Sequence, residues 1–420
     1  GMSNKGHCCM SICDQEGLQK ALTPVADALV QILASVTPIT HTETVPLNKA
    51  CGRILASAAV SPMNVPPEDN SAMDGYALGE LGYSKYACVG EAFAGHPYQG
   101  SVKPNECIRI MTGAPVPSDC SLVEMQENAT LHGDIVSFSE TLKVGANIRR
   151  AGEDIAEGAD VLPAGRRLTP SDCGLLASIG LASVEVKKRI KVALFTTGDE
   201  LVEPGTSLKP GQIYQSNSYV LTPILNKLGT ELIVLPAVED SEEAIKKALN
   251  DASKKADIVI TCGGVSVGDA DYTRKAVEAL GQLELWKLAM KPGKPLAFGR
   301  INTCLFLGLP GNPVSALVTL HQIGLPLLRY LSGEQVTPNI RLSATTTEIL
   351  RKRPGRADYQ RGIASVNSQG QLEVRSTGKQ GSGILTSVSQ ANCFIVLEQE
   401  RGRVEIGETV MIEMFDEWLK

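Results

Sequence analysis

The densest groups of side chains able to do chemistry lie between residues 197 and 315. Thr197-Gly198-Asp199-Glu200, Glu239-Asp240 and Gly263-Gly264-Val265-Ser266-Val267-Gly268-Asp269-Ala270-Asp271 each follow a short apolar run. Carboxylates beside a glycine loop suit one kind of ligand. Backbone N–H groups such as those of Gly263, Gly264, Ser266 and Gly268 cradle a phosphate, and neighbouring acids hold Mg²⁺, which takes one or two carboxylates plus substrate oxygens. Lys287, Lys291 and Lys294 stand in Trp-Lys-Leu-Ala-Met-Lys-Pro-Gly-Lys-Pro, where two prolines and a glycine fix the backbone around the last two lysines. Cations held rigidly complement an anion. Gly308-Leu309-Pro310-Gly311-Asn312-Pro313-Val314-Ser315 reads as a stiff turn opening a helix, with free N–H groups at its start.

Plainer readings stand beside these. Asp240 can cap a helix starting at Ser241, with Glu243 completing a capping box, and Asp271 can cap the next helix. The Pro-Gly-Asn-Pro turn can be a simple connector. Gly264-Val265-Ser266-Val267-Gly268 matches the nucleophile elbow GxSxG, but a triad needs a downstream histidine. Only His321 is available, mid-helix in an apolar run, so a Ser-His-Asp hydrolase is disfavoured. Neither GxGxxG nor GxxxxGK[ST] occurs, which disfavours a dinucleotide fold and a P-loop NTPase. The chain has 11 cysteines and no CxxC pair. Cys8, Cys9 and Cys13 crowd beside His7, whereas structural zinc wants spaced pairs, so reduced thiols in a cytoplasmic protein are expected. Three further polar clusters, at 69–77, 109–115 and 149–155, are each compatible with a turn or a surface ion pair.

The elements that must position these groups follow from periodicity. Leu18, Leu22, Val25, Leu29 and Ile32 predict a helix over 14–36. Between 60 and about 150, short alternating runs such as Cys107–Ile110 and Ile135–Phe138, split by Gly, Pro and Asn, predict an antiparallel β domain. Thr169-Pro170-Ser171-Asp172 is a helix start. From 189, strands at Val192–Thr196, Glu231–Leu235 and Asp257–Thr261 alternate with helices at Ser218–Leu228, Ser241–Lys254 and Tyr272–Leu280. Strands near 285, 297 and 305 follow, then a helix from about Pro313 to Leu331. That alternation predicts a mainly parallel sheet covered on both faces, a three-layer α/β domain. After 335 a small β domain is expected. In an open α/β sheet, ligands bind beyond the carboxyl ends of the strands, where the polar clusters fall.

Composition narrows the function. With 420 residues, about three domains are expected. A net charge of −6 without a basic stripe gives nucleic acid nothing to grip. The 7 Phe, 2 Trp and 9 Tyr are too few for a base-stacking surface. No apolar run reaches the ~18 residues of a membrane span, and the N-terminus lacks a signal-peptide pattern.

Together the segments DNSAMDGYA (69–77), RIMTGAPVP (109–117), GEDI (152–155), TGDEL (197–201), GGVSVGDADYT (263–273), KPGKPLAFG (291–299) and GLPGNPVSA (308–316) resemble the molybdopterin molybdenumtransferase family, which includes MoeA and the E domains of gephyrin and Cnx1. The resemblance runs from about residue 14 to the end. One departure is Pro66-Pro67-Glu68 before Asp69, where the family usually has an aromatic. The resemblance implies a mixed α/β multidomain fold: a discontinuous α+β domain (14–60 and 150–186), a β-rich domain (61–149), the α/β domain (187–332) and a C-terminal β domain (333–420). It implies a homodimer whose active site lies between the α/β domain of one chain and the β domain of its partner. The implied reaction is Mg²⁺-dependent insertion of molybdate into adenylylated molybdopterin with release of AMP.

By motif match, Glu200, Asp240 and Asp271 hold Mg²⁺ and are catalytic. Asp74, Thr112 and Arg149 complete the cleft from the other chain. Lys287, Lys291, Lys294, Pro310, Pro313 and Ser315 line the anion side, with Arg356, Ser382 and Ser387 from the C-terminal domain. Implied partners are molybdopterin adenylyltransferase and downstream molybdenum-cofactor enzymes. Two alternatives are adenylylation of molybdopterin itself and a gephyrin-type scaffold without catalysis.

Overall fold

The computed structural model describes residues 22–139, 143–264 and 271–420. The chain divides into two compact units. One takes in Lys187–Lys420 with the described residues before Thr44, and the other is Thr44–Val186.

The first unit contains the α/β layers. In chain order these are β1 (Leu22–Thr23), α1 (Val25–Ala34), β2 (Lys191–Thr196), α2 (Asn217–Leu228), β3 (Glu231–Val234), α3 (Glu242–Ser253), β4 (Ile258–Cys262), α4 (Tyr272–Leu280), β5 (Gly281–Leu288), β6 (Pro295–Ile301), β7 (Cys304–Leu309), α5 (Pro313–Thr319) and α6 (Leu325–Leu331). The strands form one sheet in the order β1-β5-β6-β7-β4-β2-β3. Pairings are parallel except for the β5–β6–β7 meander. The strands are nearly continuous apolar runs because both faces are covered. Val192 and Leu194 of β2, with Ile258 and Ile260 of β4, pack under α1, α2, α5 and α6. The alternate residues Ala193, Phe195 and Val259 pack under α3 and α4. This is the predicted three-layer arrangement.

Two helices depart from expectation. The helix predicted over 14–36 is Val25–Ala34, and Leu22 belongs instead to a strand added to the sheet edge beside Lys287. Pro24 explains this: it biases the residue before it toward extended backbone and starts a helix without needing an N–H partner. Residues 14–21 of that expectation lie outside the described residues. The helix predicted from Pro313 to Leu331 is interrupted by a π turn at Leu320–Gly324. Pro326 has no N–H to give the carbonyl four residues back, and its ring crowds that carbonyl, so the helix widens there.

The C-terminal strands β8 (Leu342–Thr346), β9 (Ala357–Val366), β10 (Leu372–Ser376), β11 (Cys393–Leu397) and β12 (Thr409–Met414) close into a barrel, β9-β10-β8-β12-β11-β9. Its interior is filled by small and branched residues, among them Ala344, Val374, Ile395 and Ile412. Tyr359, Phe394, Val396 and Phe415 point the other way and join the α/β core, so barrel and sheet share one apolar face.

In the second unit a six-stranded sheet is antiparallel except for one parallel pair, Tyr86–Ala92 with Glu106–Ile110. It has its own apolar clusters, whereas Val45, Leu55, Leu162, Leu168, Leu176 and Val186 form a separate core from both ends of the unit. A stretch split in sequence therefore packs together. The described residues before Thr44 group with the α/β unit, where β1 pairs at the sheet edge. The helix at Pro170–Ser178 begins with the predicted cap: Thr169 and Asp172 form a reciprocal capping box. Among the described residues no helix is long and apolar enough to cross a membrane.

Candidate active site

Where β2, β4 and β7 end, and where the barrel leans against them, lies an open cleft of about 1290 Å³. Glu200, Asp240, Asp271, Gly263, Gly264, Lys291, Lys294, Pro310, Pro313, Ser315, Arg356 and Ser382 all line it. The parallel strands bring their carboxyl ends level, so loops distant in sequence meet. Ser266 and Gly268 lie outside the described residues.

The acidic wall is built by these loops. Asp240 is half-buried, and its carboxyl is raised above the usual carboxylate range, first by burial and then by the negative charges of Asp199 and Glu200. It does not cap the following helix. Ser241 does, its hydroxyl accepting from the N–H of Ala244 at 3.2 Å. Asp271, only 5% exposed, occupies the N-cap position of α4 but makes no side-chain capping bond with its first turn. Both acids thus lose the plain capping explanation. Among the described residues no three His, Cys, Asp or Glu side chains already form a metal cage. Mutually repelling acids at a cleft fit an ion that brings substrate oxygens as its remaining ligands.

The floor is backbone. Gly263 and Gly264 both have positive φ, +80° and +73°, and a Cβ on Gly264 would sit 2.5 Å from Thr273 Oγ1. Gly311 faces Gly263 closely, and Asn217 Nδ2 donates to the Gly311 carbonyl at 2.9 Å. Gly264→Ala is therefore expected to lower stability by about 1–3 kcal/mol, read as a lower urea midpoint; an unchanged midpoint would show that this loop relaxes freely.

The opposite wall is basic. Lys291 and Lys294 flank a tight turn that contains a cis Lys291–Pro292 peptide bond, and Met290–Lys291 pairs with Ala357–Asp358 of β9. Arg356 donates to the Met290 carbonyl at 3.5 Å. Arg351 and Lys379 also line the cleft. Sequence reasoning missed both, because they lie outside the quoted motifs on barrel loops. The helix start at Pro313 is less free than expected: the Val314 N–H is taken by the Ser382 carbonyl at 3.0 Å, and Asn312 Nδ2 donates to Ser382 Oγ at 2.9 Å.

Two expected residues do not line this cleft. Lys287 is exposed on β5, opposite Pro295. Ser387 is buried, its hydroxyl accepting from Arg361 and donating to the Ile384 carbonyl. His321 is tied to Asp416 and Gln322 inside the unit, at 2.7 and 2.9 Å, and serves packing there.

In the second unit, the three polar clusters converge. Ile148–Arg149 pairs with Asn70–Ser71, and the Gly113 N–H donates to the Ser71 carbonyl. Thr112 donates to Asp74 Oδ1 through both its N–H and its hydroxyl at 2.8 Å, holding that exposed carboxyl below its ordinary range. Arg149 pairs with Asp154. Asp69 takes Arg150 at 2.9 Å and the Ala151 N–H at 2.8 Å.

Comparison with known proteins gives a consistent result. The profile of the MoeA N-terminal region (domains I and II) matches residues 23–180, that of a probable molybdopterin-binding domain 193–330, and that of the MoeA C-terminal region (domain IV) 343–415. Molybdopterin molybdenumtransferase of Haemophilus influenzae is 49% identical over 385 residues, 90% of this chain and 95% of that protein. Gephyrin of Dictyostelium discoideum is 33% identical over 94% of this chain, which spans 62% of gephyrin. The crystal structure of the molybdopterin biosynthesis MoeA protein from Pyrococcus horikoshii OT3 superposes with a TM-score of 0.81 at 28% identity, covering 94% of this chain and all of that one. Three profile matches along the chain, 49% identity over 95% of the Haemophilus enzyme and a shared fold place this chain in the molybdopterin molybdenumtransferase (MoeA) family of enzymes.

Proposed function

We propose that this chain inserts molybdate into adenylylated molybdopterin, releasing AMP, as a cytoplasmic homodimer. The observation that carries the reading is one cleft with an acidic wall, a glycine floor and a basic wall. Gly263 and Gly264 let backbone approach the adenylyl phosphate. Glu200, Asp240 and Asp271 are the residues that would hold Mg²⁺ there. When bound, Mg²⁺ supplies charge that polarises the phosphoanhydride.

Lys291, Lys294, Arg356, Ser315 and Ser382 hold the molybdate oxyanion by charge-assisted hydrogen bonds. With both anions fixed, displacement of the adenylyl group is a matter of position, and no covalent nucleophile is needed. Asp74, Thr112 and Arg149 of the partner chain complete the site in this reading. A four-domain division with a first domain split in sequence belongs to the same reading, the described residues before Thr44 packing on the α/β layer.

The test is reconstitution with purified adenylylated molybdopterin, molybdate and Mg²⁺. Molybdate-dependent AMP release is expected. Consumption of ATP with free molybdopterin would instead favour the adenylyltransferase reading. Lys294→Ala is expected to raise the molybdate concentration needed by roughly 10- to 100-fold, the worth of one hydrogen bond to a charged group. Unchanged molybdate dependence would put the oxyanion elsewhere.

A further inference from the structure

The largest fully buried side chain among the described residues is a cation. Arg361, on β9, is 0% exposed. The side chain donates to three neutral acceptors: the Tyr359 carbonyl at 2.8 Å, Ser387 Oγ at 3.0 Å and the Gln380 carbonyl at 2.7 Å. A guanidinium out of water without a bonded carboxylate is costly. Burial accordingly draws its pKa down to about 10. What the planar fork does supply is three donors aimed in fixed directions.

One of those directions leads toward the cleft. Gln380 is clamped to the main chain of Arg361 as well: its Oε1 accepts from the Arg361 N–H at 2.7 Å and its Nε2 donates to the Arg361 carbonyl at 3.1 Å. The next residues, Gly381 and Ser382, line the cleft, and Ser382 bonds to Asn312 and Val314 at the start of α5. The loop is thus stretched between two anchors, one in the barrel and one on the α/β layer. Arg361 itself does not line the cleft.

We propose that Arg361, acting with Gln380, is a positioning residue that sets the height of the Lys379–Ser382 lip over the anion end of the cleft. The inference rests on the molybdate reading above, so its test has one arm that needs no substrate. Arg361→Met keeps the volume and removes the fork. It is expected to fold with a lowered melting temperature, because the Tyr359 and Gln380 carbonyls lose their donor, while amide exchange over 377–384 accelerates. In the transfer assay KM for molybdate is expected to rise roughly 10- to 100-fold, the worth of one hydrogen bond to a charged group, and kcat is expected to change less than KM.

Asn392→Ala is the control. It cuts a similar side-chain clamp on the same strand, where Asn392 bonds the Ala364 N–H and carbonyl at 2.7 and 2.8 Å. It is expected to lower the melting temperature and leave KM for molybdate unchanged. If Arg361→Met does not fold, Gln380→Ala reports on the same anchor from the half-exposed loop. Unchanged exchange over 377–384 in the folded variant overturns the proposal. So does faster exchange with an unchanged molybdate KM, or an equal rise in KM with Asn392→Ala. A wild-type enzyme that shows no molybdate saturation sinks the functional reading instead, and the exchange arm still decides whether Arg361 fixes the lip.

Discussion

Asp240→Asn is expected to reduce molybdate-dependent AMP release by roughly 10²- to 10³-fold, the usual loss when one preorganised charge-stabilising group is removed, while the protein stays folded. The two effects separate because of where Asp240 sits. Burial and the charges of Asp199 and Glu200 raise its carboxyl above the usual range. The folded state therefore holds that proton more tightly than the unfolded chain does, and ionisation at neutral pH works against folding. Asparagine removes the charge at constant size, so the melting temperature at pH 7 is expected to hold or rise slightly. A site that gives up stability for chemistry behaves this way.

Asp271→Asn is expected to lose activity on the same scale. The Asp271 side chain makes no capping bond with the first turn of α4, so the amide leaves the start of that helix as it is. Steady-state AMP release with excess Mg²⁺, alongside a melting curve, checks both. Wild-type release from either variant would remove that residue from the metal assignment, and a collapse in melting temperature would return it to a structural role.

Much of this site was legible because its residues lie in loops that follow apolar runs. The strands at Lys191–Thr196 and Ile258–Cys262 are too short and too apolar to be surface elements, so their ends had to converge. Gly263-Gly264 was legible for a local reason, since two adjacent residues adopt positive φ. What was not legible depended on tertiary placement. Arg351 and Lys379 reach the cleft only because the barrel closes and leans on the sheet, and local spacing does not encode that. Ser387 shows the converse. It was expected on the anion side, but its hydroxyl accepts from Arg361 and donates to the Ile384 carbonyl instead. The strand at Leu22–Thr23 was hidden inside a helical period, because Leu22 fits both patterns and only Pro24 distinguishes them. The role of Asp240 was open between cap and ligand until Ser241 proved to hold the cap.

Two variants that are inactive alone are expected to regain activity when they share a dimer. Asp74→Ala removes a carboxylate that is exposed in its own unit yet held by two bonds from Thr112. Such fixing of an exposed acid costs side-chain freedom and has no evident return within the unit. It does have one if Asp74 faces a substrate held by a partner chain. In a homodimer with shared sites, pairing an Asp74→Ala chain with an Asp240→Asn chain concentrates both defects in one site. The other site then has a native Asp74 from one chain and a native Asp240 from the other. A statistical mixture is expected to give about a quarter of wild-type activity, and the purified mixed dimer about half, by the twofold symmetry of the assembly. Co-expression with two affinity tags isolates the mixed dimer, and AMP release is measured against each parent. If each active site were contained in a single chain, every site in the mixed dimer would carry one defect and activity would stay at the parental level. A chain that sediments as a monomer during turnover would also end the shared-site proposal, leaving Asp74 to be explained within its own unit.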